Sequence, residues 1–214
     1  IIYRYILVKD RSISRVALSK VNDQKILEQM VISKSATPDI QKEIISKMES
    51  AEFLRKLLQH PNLKLQEFAL ERLLEKSLLT EDEITKLASH KSWKLRRVAA
   101  SRTNDINSLI LLSKDNSADV RLDLVRRLQE NNDTHKAIIF TMVNDKDCDV
   151  AMAALRLITE KKIILKYAEN PKSNMKYFAM SRIKDEVILR AWLNSEHDYL
   201  RNYAKRVLSS LKKP

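Results

Sequence analysis

Residues 116–128 read NSADVRLDLVRRL, and this stretch decides the fold. Val120, Leu124 and Leu128 stand four residues apart, so they share one face of a helix. The polar residues ahead of them offer oxygens to the unpaired N–H groups of a helix start. Working outward, the pattern recurs at anchors Ile13, Ile40, Leu65, Leu95, Val120, Val150, Met175 and Leu200, with separations of 27, 25, 30, 25, 30, 25 and 25 residues. Four residues past the anchors stand Ala17, Ile44, Ala69, Ala99, Leu124, Ala154, Ala179 and Ala204. Six of these eight are alanine, small enough for a neighbouring helix to approach closely. Eight past the anchors stand Val21, Met48, Leu73, Thr103, Leu128, Ile158, Ile183 and Leu208.

A second apolar cluster follows each anchor helix, with members spaced i, i+3, i+4: Leu27, Met30, Val31 in the first unit and Leu189, Trp192, Leu193 in the last. The two 30-residue periods are explained by insertions between helices, SLLTED (77–82) and ENNDTH (130–135). Pro38, Pro61 and Pro171 all fall in the turns between units. The pattern predicts an all-α fold, an α-α superhelix (solenoid) of about eight two-helix repeats of 25–30 residues, forming one helical-repeat domain over 1–214. The opening IIYRYILVKD (1–10) has the shape of a second helix and its exit turn. The chain is therefore expected to be a fragment that begins inside a repeat.

Composition excludes several classes of function. Glycine is absent from all 214 residues, where average usage would supply ~15. Glycine-rich phosphate loops and dinucleotide fingerprints need backbone that only glycine supplies, so neither exists here. Cys148 is the only cysteine, so no disulfide forms within the chain, which favours a reducing, cytoplasmic location. Apolar runs such as AIIFTMV (137–143) are far shorter than the ~20 residues that cross a bilayer, and no membrane insertion is expected. The net charge of +12 is lopsided: residues 1–90 hold 15 Lys/Arg against 13 Asp/Glu, and residues 91–214 hold 25 against 15.

The segments NSADVRLDLVRRL (116–128), HKSWKLRRVAASR (90–102) and NPKSNMKYFAMSR (170–182) resemble HEAT-type repeats of the ARM/HEAT superfamily. The 25-residue unit is similar to the short leucine-rich-repeat-variant type. The resemblance covers nearly the whole chain and implies an armadillo-like α-solenoid that acts as a binding scaffold. The chain departs from the variant type by lacking its regular Asn-Pro between helices; HPN (60–62) and NPK (170–172) lie between units instead.

Two basic sets stand out. Seven residues past the anchors are Lys20, Lys47, Arg72, Arg102, Arg127 and Arg182, with Arg156 and Arg206 one position earlier in their helices. This ladder either covers the core edge and pairs with a carboxylate or turn carbonyl of the next unit, or tracks a phosphate backbone. The second set, Arg96, Arg97, Arg121, Lys176 and Arg201, lies in the first turn of its helices, where a cation opposes the helix dipole. With Trp93, expected in a turn, these are the candidate residues for an anionic partner. Trp192 matches apolar positions and is assigned to the core. His60, His90, His135 and His197 fit surface turns, with His60 and His90 five residues before their anchors and placed to stack in neighbouring turns. No metal-ligand spacing, catalytic motif or cofactor motif is present.

These features predict a non-enzymatic scaffold that grips a protein partner along the repeat surface. The alternative is nucleic-acid binding through a basic face in the C-terminal repeats. A weaker alternative, drawn only from fold analogy, is a HEAT-like DNA glycosylase.

Overall fold

The computed structural model describes residues 11–33 and 35–211, so the helix expected over residues 1–10 lies outside them. Fifteen helices and no strand occur among the described residues. Eight are first helices: α1 Arg11–Ser19, α3 Pro38–Ser46, α5 Leu63–Glu75, α7 Trp93–Arg102, α9 Ala118–Arg127, α11 Cys148–Leu157, α13 Lys176–Ser181 and α15 Asp198–Leu211. Seven second helices alternate with them: α2 Gln24–Val31, α4 Ala51–Leu58, α6 Glu81–Leu87, α8 Ile106–Ser113, α10 Asp133–Met142, α12 Lys161–Glu169 and α14 Glu186–Trp192. Pro38 opens α3 as its first residue, where its missing N–H costs nothing.

The helices start where side-chain acceptors stand. Asp23, Ser50, Asp105 and Asp185, each ten residues past an anchor, accept amide N–H groups of the second helices they precede. After the two insertions, Thr80 and Asn132 do the same, Thr80 in a reciprocal capping box with Glu83. The first insertion needs a left-handed residue to leave α5, and in a chain without glycine that residue is Ser77, at φ 55°. Its N–H bonds to Leu74 O and that of Leu78 to Leu73 O, closing the helix end.

The chain divides into two compact units, Ile1–Val98 and Ala99–Pro214, with the division inside α7. In the first, Leu18, Leu27, Ile44, Leu54, Leu65 and Leu73 form one buried cluster. In the second, Leu109, Val120, Leu124, Ile139, Val150 and Leu189 are fully or almost fully buried. Within each unit second helices pack on the first helices that follow them, α2 on α3 and α4 on α5, and likewise α8 on α9 and α14 on α15. Each buried Leu or Ile contributes roughly 1.5–3 kcal/mol through removal from water.

The anchors from Ile40 to Leu200 are buried, but Ile13 is 45% exposed. The inward stripe of a first helix spans anchor positions 0, +1, +4, +5 and +8, as Ile40, Gln41, Ile44, Ile45 and Met48 illustrate. In α1 only one edge of that stripe, Ser14, Leu18 and Val21, is covered. Trp192 is buried as expected, and its Nε1 donates to Glu169 Oε1 at 2.8 Å.

Candidate binding face on the first helices

The position one residue past the anchor carries a hydrogen-bond donor in nearly every unit. Gln41 Nε2 donates to Val31 O at 2.9 Å and Gln66 Nε2 to His60 O at 2.6 Å. Arg96 donates to His90 O at 2.8 Å and Lys91 O at 3.0 Å, Arg121 to Asp115 O at 2.6 Å, Lys176 to Pro171 O at 2.6 Å, and Arg201 to Ser195 O. These carbonyls end the preceding second helix or lie in the turn after it, where no intrahelical partner exists. The donor folds back over the turn and clasps it.

Four of the candidate anion-binding residues, Arg96, Arg121, Lys176 and Arg201, therefore sit one per inter-unit turn. Arg121 turns inward and is only 3% exposed. Its Nε and Nη2 make a bidentate pair with Asp145 at 2.7 Å each, which leaves no surface for an incoming anion. The hydrogen bond that Arg121 donates to Asp145 raises the Arg121 pKa against the opposing effect of burial. Burial pushes the Asp145 carboxyl upward, but hydrogen bonds from Arg121 and the Asp147 amide hold it below its ordinary value. Trp93 and Arg97 do come together: Trp93 is the first residue of α7, not a turn residue, 38% exposed, with the Arg97 guanidinium 5.7 Å from its ring centre.

The ladder seven residues past the anchors has its own task. Lys47 Nζ donates to Leu18 O at 2.7 Å and Val21 O at 2.6 Å, and Arg72 Nε to Met48 O at 3.2 Å. Arg127 reaches Thr103 O, and Arg182 reaches Leu155 O and, at 2.7 Å, Ile158 O. In each case the cation caps the C-terminal end of the preceding first helix, where a positive charge is favourable. Desolvation lowers the Arg182 pKa.

A third row completes the frame. Five residues before the anchors, His60 Nδ1 and His90 Nδ1 each accept the N–H of the residue two ahead at 3.1 Å. Asp115, Asp145, Asn170 and Ser195 do the same in the later turns. An accepting Nδ1 fixes the neutral tautomer. Burial, with Lys91 and Arg96 nearby, lowers the His90 pKa accordingly.

What these rows leave outward is the face at positions +2, +3 and +6 of the first helices, and it differs between the units. In residues 11–98 it is laced by ion pairs between successive helices, Arg15–Glu43 at 3.0 Å and Lys42–Glu71 at 2.8 Å, and Lys94, one residue before its anchor, reaches Glu67 of the face at 2.9 Å. Lys42 also lies 5.5 Å from the Phe68 ring, and in residues 99–211 Arg126 pairs with Asp123 at 3.5 Å, but beyond α9 the cations of this face meet rings alone. Arg156 lies over Phe178 at 5.5 Å and Arg206 over Tyr203 at 5.4 Å, and neither has an ion pair among the described residues. Tyr177, 64% exposed, meets Tyr199 edge to face at 6.3 Å, with Lys176 Nζ 5.3 Å from both rings.

Two open grooves follow this face. One, of about 400 Å³, lies between α9 and α11, lined by Leu122, Arg126, Asp149, Met152, Ala153 and Arg156. The other, of about 440 Å³, lies between α13 and α15, lined by Tyr177, Tyr199, Asn202, Tyr203 and Arg206.

The fold is an all-α repeat of alternating first and second helices. Among solved structures the chain is similar to a designed armadillo repeat protein, YIII(Dq)4CqI, with 16% identity, coverage of 99% of this chain and 98% of that one, and a TM-score of 0.34. It is similar also to an engineered protein from a structural-genomics consortium, with 15% identity, coverage of 99% and 95%, and a TM-score of 0.34. Neither likeness says what this chain binds. No protein-family model and no curated protein matches it.

In this repeat the second groove is the more aromatic. Burial raises the pKa of both Tyr199 and Tyr203, so their hydroxyls stay protonated near neutral pH. The Tyr199 hydroxyl donates to Glu169 O at 3.0 Å. Among the described residues no group of three or more His, Cys, Asp or Glu side chains could hold a metal ion, and no helix is long and apolar enough to cross a membrane. Sequence reasoning missed this face because its members are scattered singly over four helices. The available signal was the loss of acidic residues at +2, +3 and +6 beyond residue 150: Met152, Ala153, Arg156, Tyr177, Phe178, Ser181, Asn202, Tyr203 and Arg206.

Proposed function

We propose that the chain is a non-enzymatic, cytoplasmic scaffold that binds a protein partner along the first-helix face of residues 99–211. One observation carries this: the face combines exposed arginines, tyrosines and apolar side chains around open grooves. Tyrosine and arginine dominate the energetics of protein interfaces because each offers a large contact area and a directed polar group. The buried polar side chains Gln41, Gln66 and Arg121 are taken up by turns, which supports a structural rather than catalytic use of the polar interior.

The test is co-purification of one stoichiometric protein with the full chain. Binding is expected to survive Glu43→Gln and to be lost in the double variant Arg156→Glu/Tyr203→Ala. Equal capture by both variants overturns this face as the binding site. Nucleic acid is the second reading, favoured by the basic surplus beyond residue 90, and its signature is affinity that falls steeply between ~50 and ~200 mM salt.

A further inference from the structure

We infer that the partner segment carries carboxylates, and that Arg156 and Arg206 receive them; this rests on the protein-binding reading above. In the first unit Arg15 and Lys42 of the same face pair with Glu43 and Glu71 on neighbouring helices. In the second unit that supply ends after Asp123. Positions +2, +3 and +6 of α13 and α15 hold Tyr177, Phe178, Ser181, Asn202, Tyr203 and Arg206, with no acidic residue among them. Arg156 and Arg206 instead lie over Phe178 and Tyr203.

A guanidinium lying against a ring is held by its flat face, while its N–H groups point outward along its edge. Those edges match the two oxygens of a carboxylate in a bidentate pair. The ring fixes the arginine beforehand, so less side-chain freedom is lost when the partner arrives. Asp149 and Asp123 form no ion pair with Arg156 among the described residues. Asp149 opens α11 in its first turn, where the helix dipole favours it. It stands seven residues from Arg156 along the same helix, roughly 10 Å away at 1.5 Å per residue. Asp123 lies on α9, three residues from Arg126, which it faces at 3.5 Å.

The spacing constrains the segment. Arg156 is on α11 and Arg206 on α15, with α13 between them, as the Arg156–Phe178 and Tyr177–Tyr199 contacts require. Packed helices lie roughly 8–10 Å apart, so the two guanidinium groups are separated by about 16–20 Å. An extended chain advances ~3.3 Å per residue. Carboxylates five or six residues apart would then reach both arginines, with the intervening side chains over Tyr177 and the second groove. Nucleic acid could also meet arginine and tyrosine, but its phosphates would meet the Asp149 carboxylate that lines the first groove, and the paired inter-unit clasps offer it no continuous cationic track.

The experiment uses the full chain and four fluorescently labelled probes in anisotropy titrations. They are a peptide with two glutamates six residues apart and leucine and tyrosine between them, its glutamine twin, its lysine twin, and an oligothymidylate of similar length. A random peptide-display selection on the same immobilised chain runs alongside. The glutamate peptide is expected to bind at least about tenfold tighter than the glutamine twin, and Arg156→Glu/Arg206→Glu is expected to erase that difference. Selected peptides are expected to be enriched in Asp and Glu. Unchanged thermal melting of the double variant shows that it is folded.

Equal affinity for the glutamate, glutamine and lysine peptides, or selection of neutral or basic peptides, overturns the carboxylate inference and leaves the protein-binding reading standing. No peptide bound and none selected overturns both. Oligothymidylate binding that the double variant abolishes, with no peptide bound, replaces both with the nucleic-acid reading.

Discussion

Residues 11–98 and 99–211 are built on one frame yet present different surfaces. In both, a donor one residue past the anchor clasps the turn, as Gln66 does to His60 O and Arg201 to Ser195 O. In both, a cation seven residues past the anchor caps the preceding first helix, as Lys47 and Arg182 do. Yet Lys42, which lies over Phe68, also pairs with Glu71 on the first unit's face, while Arg156 lies over Phe178 on the second's with no ion pair among the described residues. Inward and turn rows hold the repeat together, so they are bound to a chemical type. The outward rows carry no such duty and can diverge.

The largest difference within the frame is the clasp of α9. Arg201 also pairs with the exposed Asp198 of its own helix, but Arg121 takes the buried Asp145 carboxylate, in a turn whose own unit has Ala151 at the clasp position. Asp145→Ala would leave a buried guanidinium without its counter-charge, a loss of roughly 3–5 kcal/mol. Chemical denaturation with hydrogen exchange should show the loss concentrated in residues 99–211. The ladder comes next. Arg182→Met keeps the stem but abandons Leu155 O and Ile158 O, for roughly 1–3 kcal/mol, and Lys47→Met should cost a similar amount in the first unit. A ladder residue that can be removed at no cost in one unit only would show that the frame is not shared.

Much of this frame was legible in the sequence. The i, i+4, i+8 anchors located all eight first helices, and the i, i+3, i+4 clusters located the second helices, because burial of one stripe leaves a period that needs no tertiary knowledge. The clasp was not legible from charge. Arg96, Arg121, Lys176 and Arg201 look like cations set against a helix dipole when each is read on its own helix. Gln41 and Gln66 at the same position carry the correcting signal: the site requires a donor, not a charge. Likewise, His60, His90, Asp115, Asp145, Asn170 and Ser195 share only the ability to accept a hydrogen bond. Such equivalences emerge once the turn geometry shows which atom is unpaired. Ile13 failed for a different reason: a stripe on a helical wheel does not say which of its edges a neighbour covers.

The insertions give a smaller contrast. The first unit leaves α5 through Ser77 at φ 55°, and the insertion of the second unit has no positive φ among its residues. A left-handed conformation costs a non-glycine residue roughly 1–2 kcal/mol, offset in part by the greater unfolded-state entropy of glycine. Ser77→Gly should therefore stabilise the chain by about 0.5–1 kcal/mol, read as a higher midpoint in denaturant, while glycine at Asn131 should not.

Acid should also distinguish the turns. The folded pKa of His90 is lowered, so its turn is fully stable above the ordinary histidine value and loses stability as pH falls through the folded value. Asp145, at the same turn position in the second unit, is also lowered, so its contribution persists until pH falls below the ordinary carboxylate value. His135, lowered by burial and by Arg127, adds a histidine response to the second unit outside the repeated turn. In a His135→Gln background, melts between pH 7 and 5 should destabilise the wild-type His90 turn, and His90→Asn, copying Asn170, should flatten that dependence.

The smallest effect bears directly on the two faces. Glu71→Gln removes an exposed ion pair and Arg156→Met an exposed cation over a ring, and each should cost about 0.5–1 kcal/mol at most. Their salt responses should separate them. The Debye length falls from ~10 Å at 0.1 M to ~3 Å at 1 M, so the cost of Glu71→Gln should shrink with added salt. The contact of Arg156 with Phe178 acts over a few ångströms and includes dispersion between flat groups, so the cost of Arg156→Met should change little. Paired thermal melts at the two salt concentrations measure both. Equal salt dependence would mean that Arg156 is held by a carboxylate after all, that the second face is as self-satisfied as the first, and that its arginines are not held in reserve for a partner.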